Sequence, residues 1–174
     1  MSDEQTVEKK YGKLTTELVE STLAMMTDGV TTMAEIKGIS PEDLEGIYKI
    51  AHTYYMTGKM EEAEKLFYML CVISHTNPKY WEALGAVRQV RKEYDEAIKA
   101  YVAAAIYDMN RPKPHYYSAE CNLAIGDLDA AESGVVSLLE LCPAGTPEND
   151  KFRAKGEALL RVIKEARAKK GGAA

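Results

Sequence analysis

Residues 78–111, which read PKYWEALGAVRQVRKEYDEAIKAYVAAAIYDMNR, decide the fold because they are one copy of a pattern that recurs along the chain. A shift of 34 residues superposes four columns: Ala51, Gly85 and Ala119; Gly58, Lys92 and Gly126; Ala63, Ala97 and Ala131; and Phe67, Tyr101 and Val135. Two of the columns hold only small residues, and another holds large apolar ones. Four columns with a single period indicate an internal repeat, and repeats of this length are typical of helical solenoids.

Each copy of the repeat predicts two amphipathic helices joined by a short polar turn. In the first copy, apolar residues follow the helical period of about 3.6 residues from Leu44 to Tyr54. The turn Thr57-Gly58-Lys59 interrupts the period, and the second helix resumes it. A capping residue followed by proline predicts helix starts at Ser40-Pro41, Asn77-Pro78 and Thr146-Pro147.

The middle copy resembles a tetratricopeptide repeat through the residues at its helix contacts: Trp81, Leu84, Gly85, Tyr94, Ala97 and Tyr101. The resemblance implies an all-α tetratricopeptide-repeat solenoid with three helix pairs, an N-terminal helix and a C-terminal capping helix. We expect repeats at 44–77, 78–111 and 112–145, an N-terminal helical segment over 1–43, and a capping helix with a basic tail over 146–174. A plain helical bundle with accidental spacing is the alternative.

The N-terminal flank carries its own amphipathic segment. Residues 14–28 place Leu14, Leu18 and Met25 on one apolar stripe, and a short helix is expected over 32–37. The stripe either packs on the first repeat or meets a partner.

The C-terminal flank predicts a long helix over 147–169, because a solenoid must close its last apolar face. The stretch 151–170 holds eight Lys and Arg residues but only two Glu residues. We interpret it as a solvated face with favourable charge near a helix C-terminus, and RNA or membrane contact is the alternative.

The composition favours a cytosolic protein of one domain. The chain has 174 residues, 46% of them apolar and 28% charged, and its formal net charge is −5. Net negative charge argues against a nucleic-acid partner. The longest apolar run is far shorter than the roughly 18 residues of a bilayer span, so membrane insertion is not expected. No apolar segment follows the opening MSDEQTVEKK, so we expect no signal peptide, and three cysteines without CxxC spacing fit a reducing compartment.

The sequence lacks the residue patterns of common enzymes, and we expect no catalysis, cofactor or metal. His52, His75 and His115 form no metal-binding pair, and the glycines form no phosphate-binding motif. Six residues separate His115 from Cys121, which puts them on different faces of one helix. We expect a binding function instead.

The candidate binding residues lie on the first helix of each pair, which lines the inner surface of a solenoid. At the recurring inward positions stand Tyr48, His52, Tyr55, Glu82, Ala86, Gln89, Tyr116 and Glu120. Tyrosine offers a large apolar area with a polar tip, which suits an extended peptide, and Gln89 and Glu120 could hydrogen-bond its backbone. The alternative is that the tyrosines pack partly into the core.

Longer stretches resemble one family in particular: IKGISPEDLEGIY (36–48), YYMTGKMEEAEKLFYMLCVISH (54–75), LGAVRQ (84–89) and SAECNLAIGDLDAAESG (118–134). They are similar to the class II chaperones of bacterial type III secretion, which bind hydrophobic translocator proteins. The resemblance implies a bacterial cytoplasmic protein whose groove takes an extended client segment with a Pro-x-Leu-x-x-Pro-like motif. It implies groove roles for Tyr48, His52, Tyr55, Ala86, Gln89, Tyr116 and Glu120.

The resemblance also implies partners beyond the client segment. It gives Leu14, Leu18 and Met25 a role in homodimerisation and in contact with the client, and it allows a transcriptional regulator as a further partner. The alternative function is a tetratricopeptide scaffold or adaptor that binds folded proteins.

Overall fold

The computed structural model describes residues 32–171, and within this range every regular element is an α-helix. In chain order the helices are α1 (Met33–Lys37), α2 (Pro41–Met56), α3 (Met60–Ile73), α4 (Pro78–Val90), α5 (Tyr94–Tyr107), α6 (Pro112–Ile125), α7 (Leu128–Leu141) and α8 (Pro147–Gly171). Helix α1 belongs to one compact unit, and α2–α8 form another. The all-α repeat fold is therefore confirmed. The helix expected over 14–28, with Leu14, Leu18 and Met25, lies outside the described residues.

Helix α1 is short and closed at both ends by local hydrogen bonds. The Thr32 hydroxyl oxygen accepts from the Glu35 amide at 3.3 Å, and the Thr32 amide donates to the Glu35 carboxylate at 2.6 Å. This reciprocal capping box satisfies two amides at the helix start. Gly38, with φ of 64°, ends the helix in the left-handed conformation that glycine adopts without strain. The short helix expected over 32–37 is present.

The second unit consists of three helix pairs, α2/α3, α4/α5 and α6/α7, each packed on the next. The turn between the two helices of a pair requires a left-handed residue, and Gly58, Lys92 and Gly126 take φ values of 79°, 63° and 85° there. This requirement explains one of the four sequence columns. Asn77 and Thr146 cap the helices that begin with Pro78 and Pro147, as their sequence context predicts.

The small-residue columns mark the places where helices approach most closely. Ala51, Ala63, Ala97, Ala119 and Ala131 are completely buried. A Cβ atom added to Gly85 would lie 2.7 Å from the Tyr101 ring, which is closer than real Cβ contacts come. The glycine therefore makes room for the tyrosine of the second helix in the same pair.

Helix α8 closes the apolar end of the third pair. It packs on α7 and α6 and buries Phe152, Leu159 and Ile163. Its Arg167 also contacts α7, where the guanidinium lies 2.7 Å from Asp129 and 2.8 Å from Glu132. The predicted capping role is confirmed, and Arg167, one of the basic residues of this helix, pairs with α7.

Candidate functional site

One groove runs along the first helices of the three pairs. It has two adjoining cavities, of about 380 and 690 Å³, that share Tyr55, Ala86, Tyr101 and Tyr117 as lining residues. The smaller cavity extends to α2 and the start of α6, and we call it the α2 end. The larger one extends along α4 and α6 to Leu159 of α8, and we call it the cap end. The two cavities therefore adjoin along one shared wall.

An aromatic cluster builds the α2 end. The Tyr48 ring centroid lies 5.5 Å from that of Phe67, 6.0 Å from that of Tyr80 and 6.2 Å from that of His52. The Lys79 ammonium lies 3.8 Å from the Tyr48 centroid. Tyr48 is half-buried, and burial raises its pKa. One side of the Tyr48 ring thus packs on the core, as the alternative expectation has it, while the residue also lines the groove.

Ion pairs fix the charged residues of the α2 end. Glu82 is largely buried and accepts a hydrogen bond from the Arg111 guanidinium, which holds the pKa of Arg111 above its usual value. Lys79 donates to Glu45 at 2.9 Å, and this hydrogen bond lowers the pKa of Glu45. Both pairs link the first helix of one repeat with the segment that opens the next, so they tie the groove wall together across repeats.

A hydrogen-bonded chain crosses the floor of the cap end. The Tyr101 hydroxyl donates to the Gln89 side-chain oxygen at 2.7 Å, and the Gln89 amide nitrogen donates to Glu120 at 3.2 Å. The Tyr116 hydroxyl donates to the other Glu120 oxygen at 2.6 Å. A carboxylate has about four acceptor positions, so Glu120 can still accept hydrogen bonds from a ligand in the groove. Gln89 is held in place between two partners.

Tyr116 is placed differently from the expectation. Its ring packs against the cluster of Leu138, Cys142 and Phe152 under α8, with the Lys155 ammonium 5.1 Å from the ring centroid. The adjacent Tyr117 lines both cavities instead, and its ring stacks on Tyr101 with centroids 5.7 Å apart. Tyr116 reaches the groove through its hydrogen bond to Glu120.

The structure brings the other predicted residues to the groove. Tyr48, His52 and Glu82 line the α2 end, Gln89 and Glu120 line the cap end, and Tyr55 and Ala86 line both. The sequence reasoning did not assign several other lining residues to the groove, among them Tyr101, Arg111, Tyr117 and Leu159. Among these four, Tyr101 had a signal in the sequence, because it stands in the large-residue column and lies opposite Gly85.

Cys71 and Cys121 are buried, and Cys121 and His115 have different surroundings. Burial raises the pKa of Cys71 and of Cys121 to about 12, so both thiols are protonated at neutral pH and are poor nucleophiles. Cys121 packs with Ala97 and Tyr101, whereas His115 lines a different, apolar cavity with Ile106. Between residues 32 and 171 no cluster of His, Cys, Asp and Glu could hold a metal ion, and none of the helices there is long and apolar enough to cross a membrane.

Comparison with known proteins reveals similar sequences and structures. The tetratricopeptide repeat family matches residues 44–77 and 78–110. Low calcium response locus protein H of Yersinia pseudotuberculosis is 38% identical over 152 residues, which are 86% of this chain and 90% of that protein.

Two solved structures share the fold across most of their length. The type III secretion translocator chaperone SycD of Yersinia enterocolitica superposes with a TM-score of 0.71 at 36% identity, over 76% of this chain and 98% of SycD. PcrH of Pseudomonas aeruginosa, in complex with the chaperone binding region of PopD, superposes with a TM-score of 0.70 at 35% identity, over 75% of this chain and 97% of PcrH.

Proposed function

Because the chain belongs to the tetratricopeptide-repeat, class II chaperones of type III secretion translocators, we propose that its groove holds an extended segment of a hydrophobic translocator protein before export. The observation that carries this proposal is the pair of adjoining cavities with aromatic walls and a polar floor. PcrH has been solved with the chaperone binding region of PopD, and SycD with a peptide of the translocator YopD. The complex forms in the bacterial cytoplasm.

The groove offers the two kinds of contact that an extended peptide needs. Tyr48 and Tyr55 supply apolar area for side chains, and the Tyr48 ring has little conformational entropy to lose because it is already packed on Phe67. Glu120 supplies acceptors for backbone amides, which an extended segment exposes along its length. His52, Glu82, Ala86 and Gln89 complete the wall, and Tyr116 acts through Glu120.

The physical need for such a protein follows from the client. A translocator carries apolar segments that would aggregate or enter the wrong membrane if they were exposed to water. Ordering a flexible segment consumes part of the binding free energy, so the segment alone is expected to bind with about micromolar affinity. Further contacts, including those proposed for Leu14, Leu18 and Met25, would prolong the complex. These N-terminal residues are also the proposed dimer contact.

The proposal is tested by affinity capture from the host with the tagged full-length chain and mass spectrometry of the bound proteins. We expect one or two proteins with predicted membrane-spanning helices, lost when Tyr48→Ala and Tyr55→Ala are combined. The matched control is Tyr68→Ala, because Tyr68 on α3 is 54% exposed and lies outside the groove. Circular dichroism checks that each variant is folded.

Two results would contradict the proposal. Capture of folded partners alone, equally by both variants, would favour a scaffold that binds through another face. Loss of the membrane proteins with Tyr68→Ala rather than with the groove variant would move the binding site to the outer face of the second helices.

A further inference from the structure

The two ends of the groove carry opposite charge. Three cations, Lys79, Arg111 and Lys113, line the α2 end, and the carboxylate of Glu82 is there with them. The cap end is lined by the carboxylate of Glu120 and by no Lys or Arg among the described residues. In a chain with a formal net charge of −5, the side chains that line this end of the groove thus include more cations than carboxylates.

The ion pairs leave one of these cations available. Lys79 pairs with Glu45, and Arg111 pairs with Glu82 and approaches Asp108 at 4.0 Å. Lys113 makes no ion pair or hydrogen bond within residues 32–171, and it is exposed at the groove wall. It also stands in the first turn of α6, where the helix dipole favours a negative partner. Of the three cations, Lys113 is therefore the one that no carboxylate within residues 32–171 pairs.

The distance between the two poles fits the spacing of an extended chain. Lys113 and Glu120 are seven residues apart on α6, which places them on nearly the same helix face. Seven residues span about 10 Å at about 1.5 Å per residue. An extended peptide rises about 3.3 Å per residue, so about three of its residues separate the two poles.

We propose that the groove selects a client segment with an acidic side chain where it passes Lys113, and that Glu120 disfavours an acidic side chain about three residues away. The charge pattern then fixes the direction in which the segment runs along α6. This inference rests on the proposed groove function and adds to it a recognition element that apolar contacts do not provide.

The test uses three fluorescent peptides with the same apolar core, Pro-x-Leu-x-x-Pro, and fluorescence anisotropy with the full-length chain. One peptide has neutral residues at every x position, and the other two carry Asp at the first or at the last x position of the core, which are three residues apart. We expect one Asp peptide to bind about threefold more tightly than the neutral peptide, and the other to bind more weakly by a similar factor. Both differences should shrink in high salt, because Lys113 is exposed and Glu120 is only partly buried.

Substitutions assign each difference to its residue. Lys113→Gln should bring the ratio of the dissociation constants for the neutral and the favoured Asp peptide close to one. Glu120→Gln should do the same for the disfavoured peptide. Lys65→Gln is the matched control, because this exposed lysine of α3 lies outside the groove and its loss changes the net charge equally. It should keep both ratios of the unaltered chain.

The outcomes separate this inference from the function on which it rests. If the neutral peptide binds but neither Asp peptide differs from it, the charge selection is wrong and the groove function stands. A preference that persists in Lys113→Gln also overturns the inference. If no peptide binds the unaltered chain, while the tyrosine double variant captures the same proteins as the unaltered chain, the groove function fails and this inference fails with it.

Discussion

The two ends of the groove present the same repeat position in different ways. Tyr48 in the first pair and Tyr116 in the third are related by two repeats, yet Tyr48 lines the α2 end while Tyr116 lies under α8. The difference arises because α8 covers the last pair, whereas Tyr48 packs on Phe67 and Tyr80. A position in a repeat therefore has a fixed direction on its own helix, but its exposure depends on the neighbouring element.

The largest loss of stability is expected from a substitution that weakens the packing of α8 on α7. Ile163 of α8 is completely buried in a cluster with Val135 and Ala131 of α7, so Ile163→Ala should lower the free energy of unfolding by about 2–5 kcal/mol. Val162, next to it, is 49% exposed, and Val162→Ala should change stability by less than about 0.5 kcal/mol. Urea unfolding measures both. Equal losses of stability in the two variants would show that the face of α8 that carries Ile163 does not hold this helix on α7.

The next largest change in stability is expected next to Tyr101, which lines both ends of the groove. Gly85→Ala would press a methyl group against the Tyr101 ring, and overpacking of this kind costs about 1–3 kcal/mol. Gly46→Ala is the matched control, because nothing lies within 4 Å of the added Cβ in α2. That control should stabilise the chain by up to about 1 kcal/mol through helix propensity. If Gly85→Ala also raises the free energy of unfolding, the Tyr101 ring can move away from the added methyl group. The groove is then packed less tightly at Tyr101 than the structure indicates.

A smaller effect compares the two tyrosines directly. Tyr116→Phe removes the hydrogen bond to Glu120 and should cost about 0.5–1.5 kcal/mol. The Tyr48 hydroxyl makes no hydrogen bond within residues 32–171, so Tyr48→Phe should change the free energy of unfolding by less than about 0.5 kcal/mol. A larger loss for Tyr48→Phe in urea unfolding would reverse this assignment of roles.

The helix pairs and part of the groove wall could be predicted from the sequence because they follow from contacts that recur. The 34-residue period fixes which residues meet within a pair, and Gly85 opposite Tyr101 is such a contact. The groove positions of Tyr48, Tyr55 and Gln89 follow from the same helical phase. These features depend on short separations along the chain, which a repeat pattern records directly.

The placement of Tyr116 and Tyr117 could not be predicted in the same way. Neighbouring residues of a helix point about 100° apart, so either ring could have lined the groove. Which of the two rings lines the groove depends on Phe152 and Lys155 of α8. These residues lie more than 30 residues further along the chain and have no counterpart in the earlier repeats. Leu159 enters the cap end for the same reason. Helix α8 lies outside the repeats, so its contacts with the last repeat occur only once and leave no periodic signal in the sequence.

The smallest change in stability is expected at His115 of α6, which lines a separate apolar cavity. The Nε2 atom of His115 is buried without a hydrogen-bond partner within residues 32–171, and burial lowers the pKa of the imidazole, while a hydrogen bond with the Met109 backbone opposes the shift. The folded chain therefore resists protonation that the unfolded chain accepts near its ordinary pKa of 6.5. Stability that His115 contributes above this pH should be lost as the pH falls below it toward the lowered pKa.

We expect the free energy of unfolding to fall less between about pH 8 and about pH 5 in His115→Gln than in the unaltered chain. An identical fall in both would mean that water reaches the imidazole from the apolar cavity beside Ile106, and that the face of α6 that carries His115 is less tightly closed than the face under α8.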